Sequence, residues 1–310
     1  MMPHLSLVMA PHPHILVVNG RKVRQPVFIL GAPYSGADLL ARALKNSPGF
    51  HVTIGQRSVL SVVYAFARTP SIQRGRGEAA ATVLRDALAQ AWQVTAHGCL
   101  ECSPACRDAG GVNGAGSCVA DRDIRRYGDA TPDLMYCAEG LVYAFPDARL
   151  VQIIRDGRDV VAAMLADADS LAWLRPGVVN VDSEFPNPFF GIETDADLAA
   201  WPRLSLAAKC AMRWRGSVRT MARLRSSMPA ERLTTLRYEQ VIRQPAEAAR
   251  AVSGFIEAEM AAIGVRARGQ PAGGSLAIPP GSWRRTLTPE QVTDVEQVAG
   301  LDLRRVGYGA

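Results

Sequence analysis

The sequence predicts an α/β protein with a parallel sheet flanked by helices. Three short apolar runs, at residues 27–30, 149–154 and 232–238, have the length and composition of buried parallel strands. Each run is followed by a segment of helical periodicity, and this alternation is typical of parallel sheets. The first run leads into "GAPYSG", whose glycine spacing, from Gly31 to Gly36, matches a phosphate-binding P-loop.

The helices are predicted from apolar periodicity and from capping residues. Helix 37–45 is ended by "NSPG", and "TPDLMYCAEGLVYAF" predicts a helix with Thr131 as N-cap and Pro132 at its first position. A last helix, "TPEQVTDVEQVAG", has Thr288 as its N-cap. The remaining helices are predicted at 57–68, 76–95, 156–168, 204–228 and 245–262.

We expect one domain, residues 1–310, that carries two insertions. Residues 96–128 are rich in Cys and Gly and have no regular period, which predicts a loop. Residues 170–203 are rich in Pro, Trp and Phe and predict an irregular lid. The Phe side chains of this lid either line an acceptor pocket or bury the lid against the core. The Gly/Pro stretch at 266–281 predicts a flexible connection.

Composition excludes several classes of function. The chain has 310 residues, 48% hydrophobic and 21% charged, with a net charge of +6. Its basic residues are scattered, without the clustering of a nucleic-acid arm, so no nucleic-acid partner is predicted. No segment approaches the roughly 20 apolar residues that span a bilayer, and the first residues do not resemble a signal peptide. A cytoplasmic protein without a membrane partner is therefore expected, and the sequence predicts no oligomeric state.

Nearly all of the basic charge is arginine, since Lys22, Lys45 and Lys209 are the only lysines. The planar guanidinium suits phosphate and sulfate. A GC-rich genome would also favour arginine codons, so this observation alone selects no ligand.

Five stretches in order resemble the sulfotransferases that use 3'-phosphoadenosine 5'-phosphosulfate (PAPS). "ARLVQIIRDGRDVVAAM" resembles the 3'-phosphate-binding strand and helix of that family, and "TLRYEQVIRQPAEAARAVSGFI" resembles its strand-Tyr-Glu-helix segment. "AMRWRGSV" and "GSWRRTLTPEQVTDVEQVAGLDLRRVGY" are similar to the central helix and C-terminal segment of bacterial members. "YGDATPDL" resembles the Gly-Glu-Lys-Thr-Pro turn. The resemblance covers residues 26–308 apart from the Cys-rich insertion, and it implies a P-loop NTPase-like sulfotransferase fold.

The resemblance also implies donor-binding positions. The loop would hold the 5'-phosphosulfate, and Arg155 and Ala163 occupy the 3'-phosphate positions. Four further positions, Tyr238, Trp283, Arg284 and Arg285, would contact the nucleotide. The loop residues implied are Gly31, Ala32, Pro33, Tyr34, Ser35, Gly36, Ala37 and Asp38.

Several of these positions depart from the family pattern. Tyr34 replaces the cation of the loop, and Ala37-Asp38 replace its two hydroxyls. Ala130 replaces the lysine of the turn, and Ala163 replaces a serine. These substitutions remove side-chain contacts to the donor and place a carboxylate beside an anion, although Asp38 also suits the first turn of a helix.

A general base is needed to deprotonate an acceptor hydroxyl. Some relatives carry a glutamate shortly after the first helix, where this chain has Gln56 and Arg57. His51 is the nearest titratable candidate, and the alternative is that it is a core or surface histidine. Arg158 either assists donor binding or is an ordinary arginine in a first helical turn.

Four of the six cysteines, Cys99, Cys102, Cys106 and Cys118, fall within 20 residues of a Gly-rich segment. Four thiolates suit a tetrahedral structural zinc site, and a Cys-x-x-Cys knuckle supplies two of them. The alternatives are disulfides and free thiols, and His97 is a further candidate ligand.

The resulting hypothesis is a sulfotransferase that moves a sulfuryl group from PAPS to a hydroxyl or amine of a small-molecule acceptor. The first alternative is a catalytically impaired protein of the same fold that acts as a binding or regulatory module. The second is a transferase or hydrolase for another phosphorylated ligand.

Overall fold

The computed structural model describes residues 15–74, 77–95, 97–114, 116–266, 275–276 and 278–309. Most of the predicted flexible stretch at 266–281 lies outside these residues. Among the described residues, no helix is long and apolar enough to cross a membrane.

The centre of the fold is a five-stranded sheet in the order β4-β7-β3-β8-β9, with every neighbouring pair parallel. Three pairs of two-residue strands lie outside it. The predicted α/β class is therefore confirmed. The strands are β1 Val17–Val18, β2 Arg21–Lys22, β3 Val27–Leu30, β4 Phe50–Thr53, β5 Val94–Thr95, β6 Gly98–Cys99, β7 Arg126–Asp129, β8 Arg149–Ile154, β9 Leu233–Arg237, β10 Val265–Arg266 and β11 Ser275–Leu276.

Helices cover both faces of the sheet and the edge at which its strands end. The α-helices are α1 Ala37–Lys45, α2 Arg57–Arg68, α3 Gly77–Ala91, α4 Pro104–Ala109, α5 Ala138–Ala144, α6 Gly157–Leu165, α7 Ala168–Ala172, α8 Asp195–Ala200, α9 Leu206–Ser227, α10 Tyr238–Arg243, α11 Pro245–Ile256, α12 Trp283–Thr286 and α13 Pro289–Arg305. Short 3-10 turns occur at Pro70–Ile72, Asp121–Asp123, Leu134–Cys137 and Trp201–Arg203.

Alternating strand side chains divide the core between the two faces of the sheet. Phe28 and Leu150 face a core shared with α2, α3 and α5. Val27 and Val151 face a second core shared with α1 and α11. A third core joins α6, α9 and α13 to residues 170–203 beyond the carboxyl ends of the strands.

Two strands of the five-stranded sheet, the edge strand β4 and its neighbour β7, were not predicted. Their sequences, "FHVT" and "RYGD", contain polar residues and a glycine that disguise a strand. Gly128 is required in β7, because a Cβ there would lie 2.8 Å from the carbonyl oxygen of Val27. Close packing between neighbouring strands therefore selects a residue that weakens the sequence signal.

Helix capping was predicted correctly at one site and wrongly at another. Thr288 caps α13 in a reciprocal capping box with Gln291. Thr131 does not cap a helix, because the chain turns at Asp133 (φ 61°) and α5 begins only at Ala138. The amide of Thr131 instead donates to Asp129 Oδ1 at 2.8 Å.

Candidate functional site

The glycine loop forms a tight turn between β3 and α1. Gly36 has φ 93°, and a Cβ at this position would lie 2.4 Å from Cδ2 of Tyr238. A Cβ at Gly31 would lie 2.3 Å from Oγ of Ser35, which donates to the carbonyl of Ala32 at 2.6 Å. Both glycines are therefore required by the geometry of the turn.

The loop ends at a helix N-terminus without a side-chain cap. Gly36 is the N-cap of α1 and has no side chain to accept a hydrogen bond. Asp38 is exposed, and among the described residues its carboxylate accepts no hydrogen bond. The backbone amides of Ala37 and Asp38 likewise donate no hydrogen bond within the described residues. Free amides at the positive end of a helix favour an anion.

Arg155, which follows β8, supplies a cation behind this loop. Its Nη1 donates to the carbonyl oxygen of Tyr34 at 3.1 Å, and its guanidinium lies 4.3 Å from the ring centroid of Tyr238. The residue is only 1% exposed, yet Nε and Nη2 have no hydrogen-bond partner among the described residues. Asp159 is the neighbouring carboxylate, 3.7 Å from Nη2. Buried donors without acceptors are costly, so this guanidinium fits an anionic ligand.

The C-terminal segment is fixed beside Arg155 by Asp159. This carboxylate accepts from the amides of Gly281 at 2.7 Å and Trp283 at 2.9 Å, and from Oγ of Ser282 at 3.0 Å. Asp159 thus holds the backbone of residues 281–283 beside Arg155. Tyr238 supports this arrangement, because its hydroxyl bonds to both the carbonyl and the amide of Ile278.

Three further predicted donor positions make weaker contributions. Arg284 and Arg285 are exposed, and the guanidinium of Arg284 lies 4.5 Å from the Trp283 ring centroid. Ala163 is half-buried on α6 and offers no polar atom. The structure therefore brings together the loop, Arg155, Tyr238 and Trp283.

Arg158 has a structural role. It forms a two-point ion pair with Asp156, at 3.0 and 2.9 Å, and also donates to Glu296 and to the carbonyl of Tyr308. The Trp283 ring lies 4.4 Å from its guanidinium carbon. Each guanidinium nitrogen of Arg158 already donates a hydrogen bond, whereas Nε and Nη2 of Arg155 have no partner among the described residues.

Tyr34 is turned out of the loop toward α7. Its backbone is left-handed (φ 61°), and its hydroxyl bonds to the carboxylate of Asp167 and lies 2.8 Å from Oγ of Ser170. Burial and the hydrogen bond to Asp167 raise the pKa of Tyr34 to about 12. The loop therefore carries a neutral phenol at the position where a cation was expected from the family resemblance.

A buried ion pair near Tyr34 was missed from the sequence. Arg213 on α9 donates to Asp133 at 2.7 Å, and both side chains are at most 3% exposed. Tyr64 lies beside this pair, and burial together with the Asp133 carboxylate raises its pKa to about 12. Asp133 follows the turn that was singled out, but nothing in the sequence pairs it with an arginine 80 positions away.

Next to this pair, Tyr64 also lines a cavity of about 520 Å³. Its walls come from the start of α2 and from the Cys-rich insertion. The other lining residues are Gly55, Gln56, Arg57, Leu60, Ser61, Glu101, Cys102, Ser103 and Pro104. Of the Phe side chains of the lid, Phe190 is completely buried in the core, whereas Phe189, also buried, lines a different cavity of about 240 Å³.

Asp129 at the end of β7 was also missed. Its carboxylate accepts from Oγ1 of Thr53 at 2.6 Å and from the amide of Thr131 at 2.8 Å. Complete burial raises the pKa of Asp129 to about 6. Asp129 directly precedes Ala130, the residue that replaces the lysine of the family's turn.

The structure does not place His51 where it could act as a base. The residue is 1% exposed on β4, and its ring packs edge-on to Tyr127 with a centroid distance of 6.2 Å. Burial and the nearby Lys45 ammonium lower the pKa of His51 to about 4. A base must touch the proton that it removes, so the structure favours the alternative that His51 is a core histidine.

The four clustered cysteines converge in the folded chain. Sγ atoms of Cys99, Cys102 and Cys118 all lie within 4.8 Å of one another. Cys106, buried on α4, interacts with Cys118 through its thiol. All four are free cysteines, so the predicted disulfide alternative is wrong for this structure. His97, which is exposed, does not belong to this group.

Comparison with known families agrees with this architecture. The model of the sulfotransferase family matches residues 26–184, from β3 through the loop, Arg155 and half of the lid. The match spans just over half of the chain, and the protein belongs to the sulfotransferase family. Comparison with curated protein sequences gave no match.

Solved structures with a similar arrangement are sulfotransferases of low sequence identity. The sulfotransferase domain of the Synechococcus PCC 7002 olefin synthase is 14% identical, with coverage of 88% of this chain and 94% of that chain and a TM-score of 0.45. The sulfotransferase from Alicyclobacillus acidocaldarius is 16% identical, with coverage of 90% and 96% and a TM-score of 0.42. STF9 from Mycobacterium avium is 13% identical, with coverage of 93% and 79% and a TM-score of 0.46.

Proposed function

We propose that the protein is a sulfotransferase that binds PAPS at the glycine loop and transfers its sulfuryl group to a small-molecule hydroxyl or amine. The observation that carries this proposal is the Arg155 guanidinium, buried behind the loop with Nε and Nη2 unpaired in the described chain. A doubly anionic phosphate would supply the missing acceptors and charge.

Different residues would bind the phosphosulfate, the 3'-phosphate and the nucleoside of PAPS. The free amides at the start of α1 suit the 5'-phosphosulfate, and Arg155 suits the 3'-phosphate. Trp283, whose amide donates to Asp159, would contact the nucleoside. When bound, PAPS supplies the activated sulfuryl group, and the work of the protein is to hold the reacting groups in line and to stabilise spread negative charge.

The acceptor is assigned to the cavity of about 520 Å³ beside Tyr64. Asp133 is not assigned as the base, because it is buried in its ion pair with Arg213 and is not among the residues that line the cavity.

Calorimetry with adenosine 3',5'-bisphosphate tests the donor site. We expect wild-type binding, and at least about a 100-fold loss in Arg155→Met, since two hydrogen bonds between a guanidinium and phosphate are removed. Arg250→Met is the matched control, because Arg250 is exposed on α11. Failure of the wild-type protein to bind at millimolar ligand would overturn the proposal.

A second candidate function is a binding or regulatory module that holds the nucleotide without transferring sulfate. The observation that favours it is Tyr34, whose phenol is bonded to Asp167 and Ser170 and leaves the loop without a side-chain cation. Incubation with ³⁵S-labelled PAPS and a panel of phenols, alcohols and amines separates the two functions. Labelled product supports transfer, whereas nucleotide binding without product from any acceptor supports the module.

A further inference from the structure

The four cysteines of the insertion have the spacing of a metal site. Sγ of Cys118 is their common neighbour: it lies 3.5 Å from Sγ of Cys102, and the side chains of Cys99 and Cys106 interact with it. Sulfur atoms around tetrahedral zinc, with bonds of about 2.3 Å, are separated by about 3.8 Å. A disulfide would need a separation of about 2.05 Å.

Buried nitrogen donors lie beside the sulfur of Cys106. Lys45, at the end of α1, is 7% exposed, donates from Nζ to the carbonyl of Val52 at 2.7 Å, and also interacts with the thiol of Cys106. Nε2 of Gln56 lies 3.6 Å from Sγ of Cys106. Buried N–H donors aimed at sulfur are typical of the second layer around metal-bound cysteines.

The charge of four thiolates also favours a bound divalent cation. Four thiolates and a divalent zinc ion carry a net charge of −2, which the Lys45 ammonium partly offsets. Four thiolates without a cation would repel one another strongly in a half-buried cluster. A soft divalent ion with a tetrahedral preference suits this donor set.

We propose that Cys99, Cys102, Cys106 and Cys118 bind one zinc ion, which anchors the insertion to the sheet. The rest of the insertion already contacts the ends of β4 and α1. Ser103 donates from its amide to Oε1 of Gln56 at 3.1 Å and from its hydroxyl to the carbonyl of Ile54. Asn46 donates to the carbonyl of Ala109 at 3.0 Å.

The zinc site has a structural consequence for the cavity described above. Cys102 is both a ligand and a wall residue of that cavity, with Glu101 and Ser103 on either side. Gln56 connects the two regions, since it lines the cavity and contacts Cys106. Zinc binding therefore fixes one wall of the cavity.

Metal analysis of the purified full chain tests this proposal. We expect one zinc ion per chain, and four thiols that become reactive only after chelation. Cobalt(II) exchanged into the site should show the thiolate charge-transfer and tetrahedral d–d absorption bands. Zinc well below one per chain with the four thiols intact would overturn the proposal, as would iron with sulfide, or disulfides detected by mass spectrometry.

Cysteine variants locate the ion. Cys118→Ser should lose zinc, whereas Cys210→Ser, at a buried cysteine on α9, should keep it. If Cys118→Ser is insoluble, the metal content and cobalt spectrum of the wild-type protein still decide the matter. Retention of one zinc ion by a folded Cys118→Ser variant would exclude the four-cysteine site. Neither result depends on PAPS binding or on sulfuryl transfer.

Discussion

The anion-binding loop and the cysteine cluster differ in the charge of the ligand that their side chains suit. Behind the loop, the Arg155 cation is buried with two donors that lack acceptors. In the cluster, sulfur ligands converge near the buried ammonium of Lys45. A buried cation with unpaired donors suits an anionic ligand, and converging sulfur ligands suit a cation.

Arg155 and Arg158 lie three residues apart but differ in their hydrogen bonds. Two guanidinium nitrogens of Arg155 have no partner among the described residues, whereas all three of Arg158 have one. Arg158→Met should lower the free energy of unfolding by about 3 to 5 kcal/mol, because Asp156 would lose its buried partner. Arg155→Met should lower it less, because Arg155 donates one side-chain hydrogen bond within the described residues and Asp159 keeps three other donors. Urea unfolding at neutral pH measures both. Equal destabilisation by the two substitutions would contradict the assignment of Arg155 to a ligand.

The shape of the loop gives the next largest effect. Gly36→Ala should destabilise the fold by about 2 to 4 kcal/mol, because it adds left-handed backbone strain to a clash with Tyr238. Gly254→Ala on α11 is the control, since nothing lies within 4 Å of its added Cβ, and it should stabilise by about 0.4 to 1 kcal/mol. A mild effect at Gly36 would mean that the loop tolerates another conformation.

The sequence was sufficient where a local pattern determined the structure. The apolar run of β3, the glycine turn and α1 are contiguous, and so are β8, Arg155 and α6. It was insufficient where partners come from distant segments. The acceptors of Arg158 include Glu296 and the carbonyl of Tyr308, and the partner of Asp133 is on α9. No local period specifies such pairs, because they depend on the packing of helices beyond the sheet.

Asp129 lies on β7, between the strand that carries the loop and the strand beside the cluster. Its pKa is raised to about 6, so the folded state binds more protons than the unfolded state between about pH 4 and pH 6. Its ionisation therefore lowers stability as pH rises through this window, by up to about 3 kcal/mol above pH 6.

Asp129→Asn should remove that pH dependence. Relative to the wild-type protein, the variant should become more stable as pH is raised from 4 to 7, while its amide can still accept from Thr131 and bond with Thr53. Thermal unfolding across this range measures the difference. A difference that does not change with pH would show that the carboxyl titrates alike in both states.

Lys45 tests the balance of the cysteine cluster without removing a ligand. Lys45→Met keeps the length of the buried stem but removes the ammonium beside Cys106. The zinc affinity should fall by about 10- to 100-fold, as when other second-layer partners of metal ligands are lost. Competition with a chelator measures this affinity. Lys209→Met is the control, because Lys209 packs over Trp201, a residue of the third core. Equal zinc affinity in the two variants would mean that the ammonium is held by the carbonyl of Val52 alone, and that the charge of the cluster is balanced in another way.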